Sequence, residues 1–263
     1  MQHSRALRNL VRTALLLAVL CLGAVYIGSR FGPLGYWLAL LAVLTFCTYL
    51  LVRSDAVVVR AMRGYAVGEA EQPVLCNVVR DMSSRARLPM PRVYVSPTPA
   101  VNALASGRDP HHAVICVTEG ALDVLDEQEL RAVVGHELAH IRSRDTLPAS
   151  VVGGLNRVVM VVPVAGVALA ALLRLTIRRS REFDADRESA LISGEPLALA
   201  RALRKLDAAA RELGLPAEPG VVAASHLMIT SPLRRGGRRW LCRSHPSTAE
   251  RVARLEQLAG YRR

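Results

Sequence analysis

Two apolar runs, residues 13–29 and 35–52, constrain the fold of this chain more than any other feature. Each is about long enough to cross a hydrocarbon core of roughly 30 Å as a helix. Together they predict a transmembrane helical hairpin over residues 1–55, with one domain over residues 56–263 behind it. A secretory signal peptide is the competing reading of the first run, because Arg5, Arg8 and Arg12 precede it. No clear small-x-small cleavage site stands before the second run, which favours the hairpin. Arg53, Arg60 and Arg63 follow the second run, whereas the connecting loop carries only Arg30. The positive-inside rule then places the N-terminus, and everything beyond Val52, in the cytoplasm of a multi-pass cell-membrane protein.

The formal net charge of +12 admits either nucleic acid or an anionic membrane surface as a partner. Arginine carries nearly all of it, Lys205 is the single lysine, and three Phe and two Trp leave few platforms for stacking bases. The composition therefore favours the lipid bilayer and speaks against nucleic acid. Cys21, Cys47, Cys76, Cys116 and Cys242 form no CxxC pair, so neither a disulfide framework nor a thiolate metal site is expected.

From Glu71 onward the texture becomes that of a folded α/β domain. Val74, Leu75, Val78, Val79 and Met82 recur at helical spacing. Residues 93–95 and 114–117 read as strands, with residues 101–106 between them. A helix is predicted over residues 127–142, opened by Asp126 as N-cap with Glu129 completing a capping box. Further helices are expected over residues 180–192, 196–213 and 247–258, the last opened by Ser247 with Glu250. The expected class is α+β, mostly helical with a small sheet, mounted on the N-terminal hairpin.

Within the capped helix lies HELAH, residues 136–140. His136 and His140, four residues apart, project from one helical face and can present ring nitrogens to a single Zn²⁺. Glu137 lies about 100° further round, where a general base reaches the attacking water. A catalytic zinc site needs a third protein ligand and an open fourth position. Glu182, in SREFDAD over residues 180–186, supplies the candidate, and Asp186 four residues on can orient a ligating histidine. Standing alone, SREFDAD would read as a solvated helix face; its pairing with HELAH reverses that.

Residues 147–177 form an apolar stretch between the two motifs. A single membrane crossing would put His136 and Glu182 on opposite sides. As a helix the stretch spans roughly 46 Å, too little for two full crossings. A bent helical hairpin that dips into or lies against the bilayer is therefore expected, with a soluble pair of core helices as the alternative.

HELAHIRSRD, SREFDAD and SHPSTAER, together with VNALASG, VTEGAL and SHLMI, resemble in sequence and order the HtpX family of heat-shock membrane proteases. This gluzincin group also includes the CAAX prenyl proteases. The resemblance implies a gluzincin-type metallopeptidase domain, one Zn²⁺ per chain, and ATP-independent endopeptidase activity on polypeptides, misfolded membrane proteins above all. It further implies Asp186 as the carboxylate behind the ligands, and His245 and Arg251 as catalytic residues that stabilise the oxyanion. Asn102, Ala103, Leu104 and Ala105 would be the edge strand that binds an extended substrate by β-augmentation. His245 also reads as a cap on the helix near Ser247, and His226 as an ordinary core or surface histidine. The family commonly has two full spans where this chain has only residues 147–177. A CAAX-type prenyl protease and a non-catalytic membrane zinc protein are the remaining alternatives; few apolar spans argue against the first, and the intact Glu137 against the second.

Overall fold

A computed structural model describes residues 2–146, 179–212, 227–230 and 246–260. Helix α1 (Gln2–Ser29) and helix α2 (Gly32–Val52) are joined through Arg30 and Phe31 and pack against each other. Their approach is close where Gly28 meets Gly35. A Cβ on Gly28 would lie 2.6 Å from the Gly35 carbonyl oxygen, so a side chain there would force the helices apart. Leu34, Trp37, Leu38, Leu41 and Leu44 of α2 are exposed, and among the described residues Gly32–Tyr49 is the stretch long and apolar enough to cross a membrane.

A short helix absent from the sequence-based expectation follows, α3 (Ser54–Ala61), and leads into the two-residue strand β1 (Tyr65–Ala66). Helix α4 (Pro73–Ala86) starts with Pro73, whose missing N–H costs nothing in a first turn, and ends at Arg87 in the left-handed region at φ 53°. Strands β2 (Arg92–Ser96), β3 (Ala103–Gly107) and β4 (Ala113–Thr118) complete a sheet of order β1-β2-β4-β3. β2 and β4 run parallel, β1 and β3 antiparallel to their neighbours, and β3 forms one edge. Next come α5 (Glu119–Val124), which was not foreseen, and α6 (Glu127–Arg142), whose bounds coincide with the expected ones.

The capping box that opens α6 is complete. Asp126 Oδ1 accepts from Glu129 N at 2.8 Å, and Glu129 Oε2 accepts from Asp126 N at 3.0 Å. Lys205 Nζ, 2.7 Å from the same Glu129 oxygen, keeps this buried carboxylate charge-balanced. Residues 132–139 of α6 are buried without a break, so the helix is enclosed on every side rather than amphipathic. Around it stand α4, β3, α7 (Arg179–Ser193) and α8 (Pro196–Glu212), with α9 (Thr248–Leu258) against α7 and α8. Ser247 Oγ caps α9, accepting from Glu250 N at 3.2 Å. The main core gathers Val79, Met82, Val95, Ile115, Val133, Leu138, Leu199 and Leu203 around α6. A second cluster, Val58, Met62, Ala100, Leu104, Cys116 and Met228, fastens α3 to β3. The apolar stretch 147–177 lies outside the described residues, as do His226, Cys242 and His245.

Candidate metal centre

Gly135 precedes the first histidine of α6 and faces α7. A Cβ there would sit 3.1 Å from Ser189 Oγ, and that hydroxyl donates to the Ala132 carbonyl at 2.6 Å, so the two helices touch backbone to side chain. This contact brings Glu182 and Asp186 of α7 under the histidines of α6. His136 Nε2 and His140 Nε2 are 3.1 Å apart, and the Glu182 carboxylate stands 3.7 Å from each. One donor atom from each of the three residues falls within 4.8 Å of the others. Tetrahedral zinc with Zn–N bonds of about 2.05 Å separates its nitrogen ligands by about 3.3 Å, close to the observed spacing.

Each histidine is held from behind by a carboxylate. His136 Nδ1 lies 3.0 Å from Asp186 Oδ1, and His140 Nδ1 lies 3.4 Å from Asp145 Oδ2. Asp145 was not singled out from the sequence. It reaches back because Arg144 adopts φ 53°, which turns the chain so that Asp145 N donates to the His140 carbonyl at 3.0 Å. The only sequence signal is the RSRD that follows HELAH.

The electrostatics favour one positive charge among the ligands. Burial pushes His136 down to about 4, with the nearby Arg251 acting in the same direction. Burial also opposes charge on His140, but Asp145, Glu182 and Glu137 outweigh it and carry that ring up to about 9. Two ring nitrogens facing each other at 3.1 Å cannot both keep a proton between them, and a metal cation would take that place. Glu137 is raised to about 7, chiefly by burial. Its Oε1 is buried with no hydrogen-bond partner among the described residues, while its carboxylate also takes the Ala105 N–H of β3. An unfilled buried acceptor beside three convergent donors fits a metal with an open coordination position.

Arg251 of α9 is 2% exposed. Its Nε and Nη2 grip Asp186 at 2.8 and 2.6 Å, and its Nη1 donates to the Ile229 carbonyl at 2.8 Å and lies 3.3 Å from Glu182 Oε2. Burial alone would raise Asp186, but this guanidinium holds it below its ordinary value. The arginine expected at the oxyanion thus also contacts Asp186, Glu182 and a main-chain carbonyl.

Ala103, Leu104 and Ala105 of β3, with Asn102 just before it, lie at the sheet edge beside α6, the position the resemblance implies, yet all four are buried. Residues 227–230 cover them. Ile229 N donates to the Ala103 carbonyl at 3.1 Å, Asn102 Nδ2 donates to the Thr230 carbonyl at 3.1 Å, and Leu104 forms an antiparallel bridge with Met228. This pairing, across more than a hundred residues of chain, was not foreseen.

A buried helix offering two histidines and a glutamate, completed by a glutamate from a second helix, carries the donor set of a metallopeptidase site. The chain belongs to peptidase family M48, whose profile matches residues 69–259 and so takes in the whole cluster. It is 41% identical to the Protease HtpX homolog of Kineococcus radiotolerans, an alignment covering 100% of this chain and 99% of the relative. Identity is 40% to the homolog of Paenarthrobacter aurescens, over 98% of each chain, and 38% to that of Burkholderia multivorans, over 95% and 97%.

Proposed function

We propose that this chain is a zinc-dependent endopeptidase of the gluzincin type, held in the cell membrane by a hairpin over residues 1–55 with its domain, residues 56–263, in the cytoplasm. Its substrates are polypeptides, misfolded membrane proteins in the first place. The observation that carries this reading is the convergence of His136, His140 and Glu182 within 4.8 Å beside the buried Glu137. Those three residues would hold one Zn²⁺.

Bound there, zinc would supply Lewis acidity to the scissile carbonyl and make water nucleophilic near neutral pH. Glu137, raised by burial to about 7, is poised to accept the proton of the attacking water and return it to the leaving nitrogen. Asp186 and Asp145 fix the rings of His136 and His140 from behind, so neither ligand has to be reoriented. Arg251 positions Asp186 and, with His245, would stabilise the oxyanion. The extended substrate pairs with β3 at residues 102–105, in the place taken by residues 227–230; the Ala103 carbonyl and the Asn102 amide mark the groups that hold it.

Cleavage of casein by detergent-purified protein, with zinc, with a chelator and with Glu137→Gln in parallel, tests the reading. Zinc-dependent cleavage should vanish in the variant while zinc remains stoichiometrically bound. Full binding of zinc without cleavage in the wild-type protein would point instead to a zinc protein that does not hydrolyse peptides.

A further inference from the structure

The direction of β3 relative to the end of α2 is fixed by contacts at both ends of the sheet. At one end Arg108, just past β3, donates to the Val52 carbonyl at 3.5 Å, and Arg92 at the start of β2 pairs with Asp55 of α3. Arg92 aligns with Val114, and Gly107 with Ala113, so these residues share that end. At the other end Ser96 Oγ donates to the Met62 carbonyl, and Thr118 N donates to the Asn102 carbonyl. The eight-residue helix α3 separates the two ends by about 12 Å. β3 therefore runs towards the C-terminal end of α2, from Ala103 to Gly107.

The strand that covers this edge runs antiparallel to β3, as Leu104 opposite Met228 shows. A peptide in that polarity has its N-terminal side nearer the end of α2 and its C-terminal side further away. Glu137 takes the N–H of Ala105, and three residues from Ala105 to Arg108 span only about 10 Å of strand.

Building on the endopeptidase reading above, we propose that the preferred substrate is a polypeptide segment that directly follows a transmembrane span, cut within a few residues of the lipid surface. Its span stays in the bilayer while the segment runs away from it along β3, N-terminal side nearest the lipid, replacing residues 227–230. A segment that precedes a span arrives with the opposite polarity. To lie antiparallel on β3 it must first pass the site and double back, which demands roughly ten further residues of linker at about 3.4 Å each.

The test uses the full chain with zinc in liposomes and one unstructured casein segment in three forms: following a single span, preceding the same span, and free in solution. Each membrane form faces the active site and carries a Gly/Ser spacer of about 4, 15 or 30 residues between span and segment. At the shortest spacer, cleavage of the segment that follows the span should be faster by about tenfold or more, because only that form reaches the site in register; the difference should fade at the longest spacer. Equal rates at the shortest spacer, or faster cleavage of the segment that precedes its span, would overturn the proposed polarity. Failure to cut any form, the soluble one included, would overturn the endopeptidase reading, and the polarity with it.

Discussion

Arg251 illustrates how a single residue can link parts of a site that the sequence leaves unrelated. Its guanidinium joins Asp186, Glu182 and the Ile229 carbonyl, so removing it strands a buried carboxylate. Arg251→Ala should destabilise the domain by about 3 kcal/mol, read as a lowered denaturation midpoint. Asp186→Asn keeps the volume but releases the grip on His136, and zinc affinity should fall 10- to 100-fold in a competition titration with a chromophoric chelator. At this scale, much of the site was legible. His136, Glu137 and His140 announce themselves because a spacing of four has a geometric meaning on a helix, and Glu182 follows because such a metal needs a third ligand. Asp145 and the main-chain commitment of Arg251 were not legible, since one depends on a left-handed turn at Arg144 and the other on a carbonyl more than twenty residues away.

Among the elements, α6 was legible to the residue, because a capping box and a basic last turn mark both its ends. Short pieces such as α3 and β1 carry no periodicity to detect: α3 packs through Val58 against residues of β3 and β4, and β1 pairs with β2. Nor does any local pattern show that residues 227–230 lie along β3. Ile229→Pro removes the N–H that bonds to the Ala103 carbonyl. One such bond is worth about 1 kcal/mol, so the variant should release the edge and raise kcat/KM for casein about fivefold. An unchanged zinc affinity would show that the gain arises at the edge and not at the metal ligands.

For the whole molecule, the metal should act as a structural clamp between α6 and α7. The buried cluster gathers three carboxyl groups, on Glu137, Glu182 and Asp186, around His136 and His140, with the guanidinium of Arg251 beside them. Chelation should therefore lower the melting temperature, and zinc at about a hundred times its dissociation constant should restore about 2.7 kcal/mol. His136→Ala should show little response to either treatment. The mostly helical character with a small sheet was legible because its helix and strand signals are local, whereas the contacts of the domain with α2 through Arg108 and with α3 through Asp55 are purely tertiary.

The covered edge of β3 has a consequence unconnected with catalysis. A protein that displays a long unpaired strand edge risks becoming a nucleus for aggregation. At rest, residues 227–230 already satisfy the Ala103 carbonyl and shield Leu104 from solvent. The edge of β3 is thus masked by the chain's own residues 227–230.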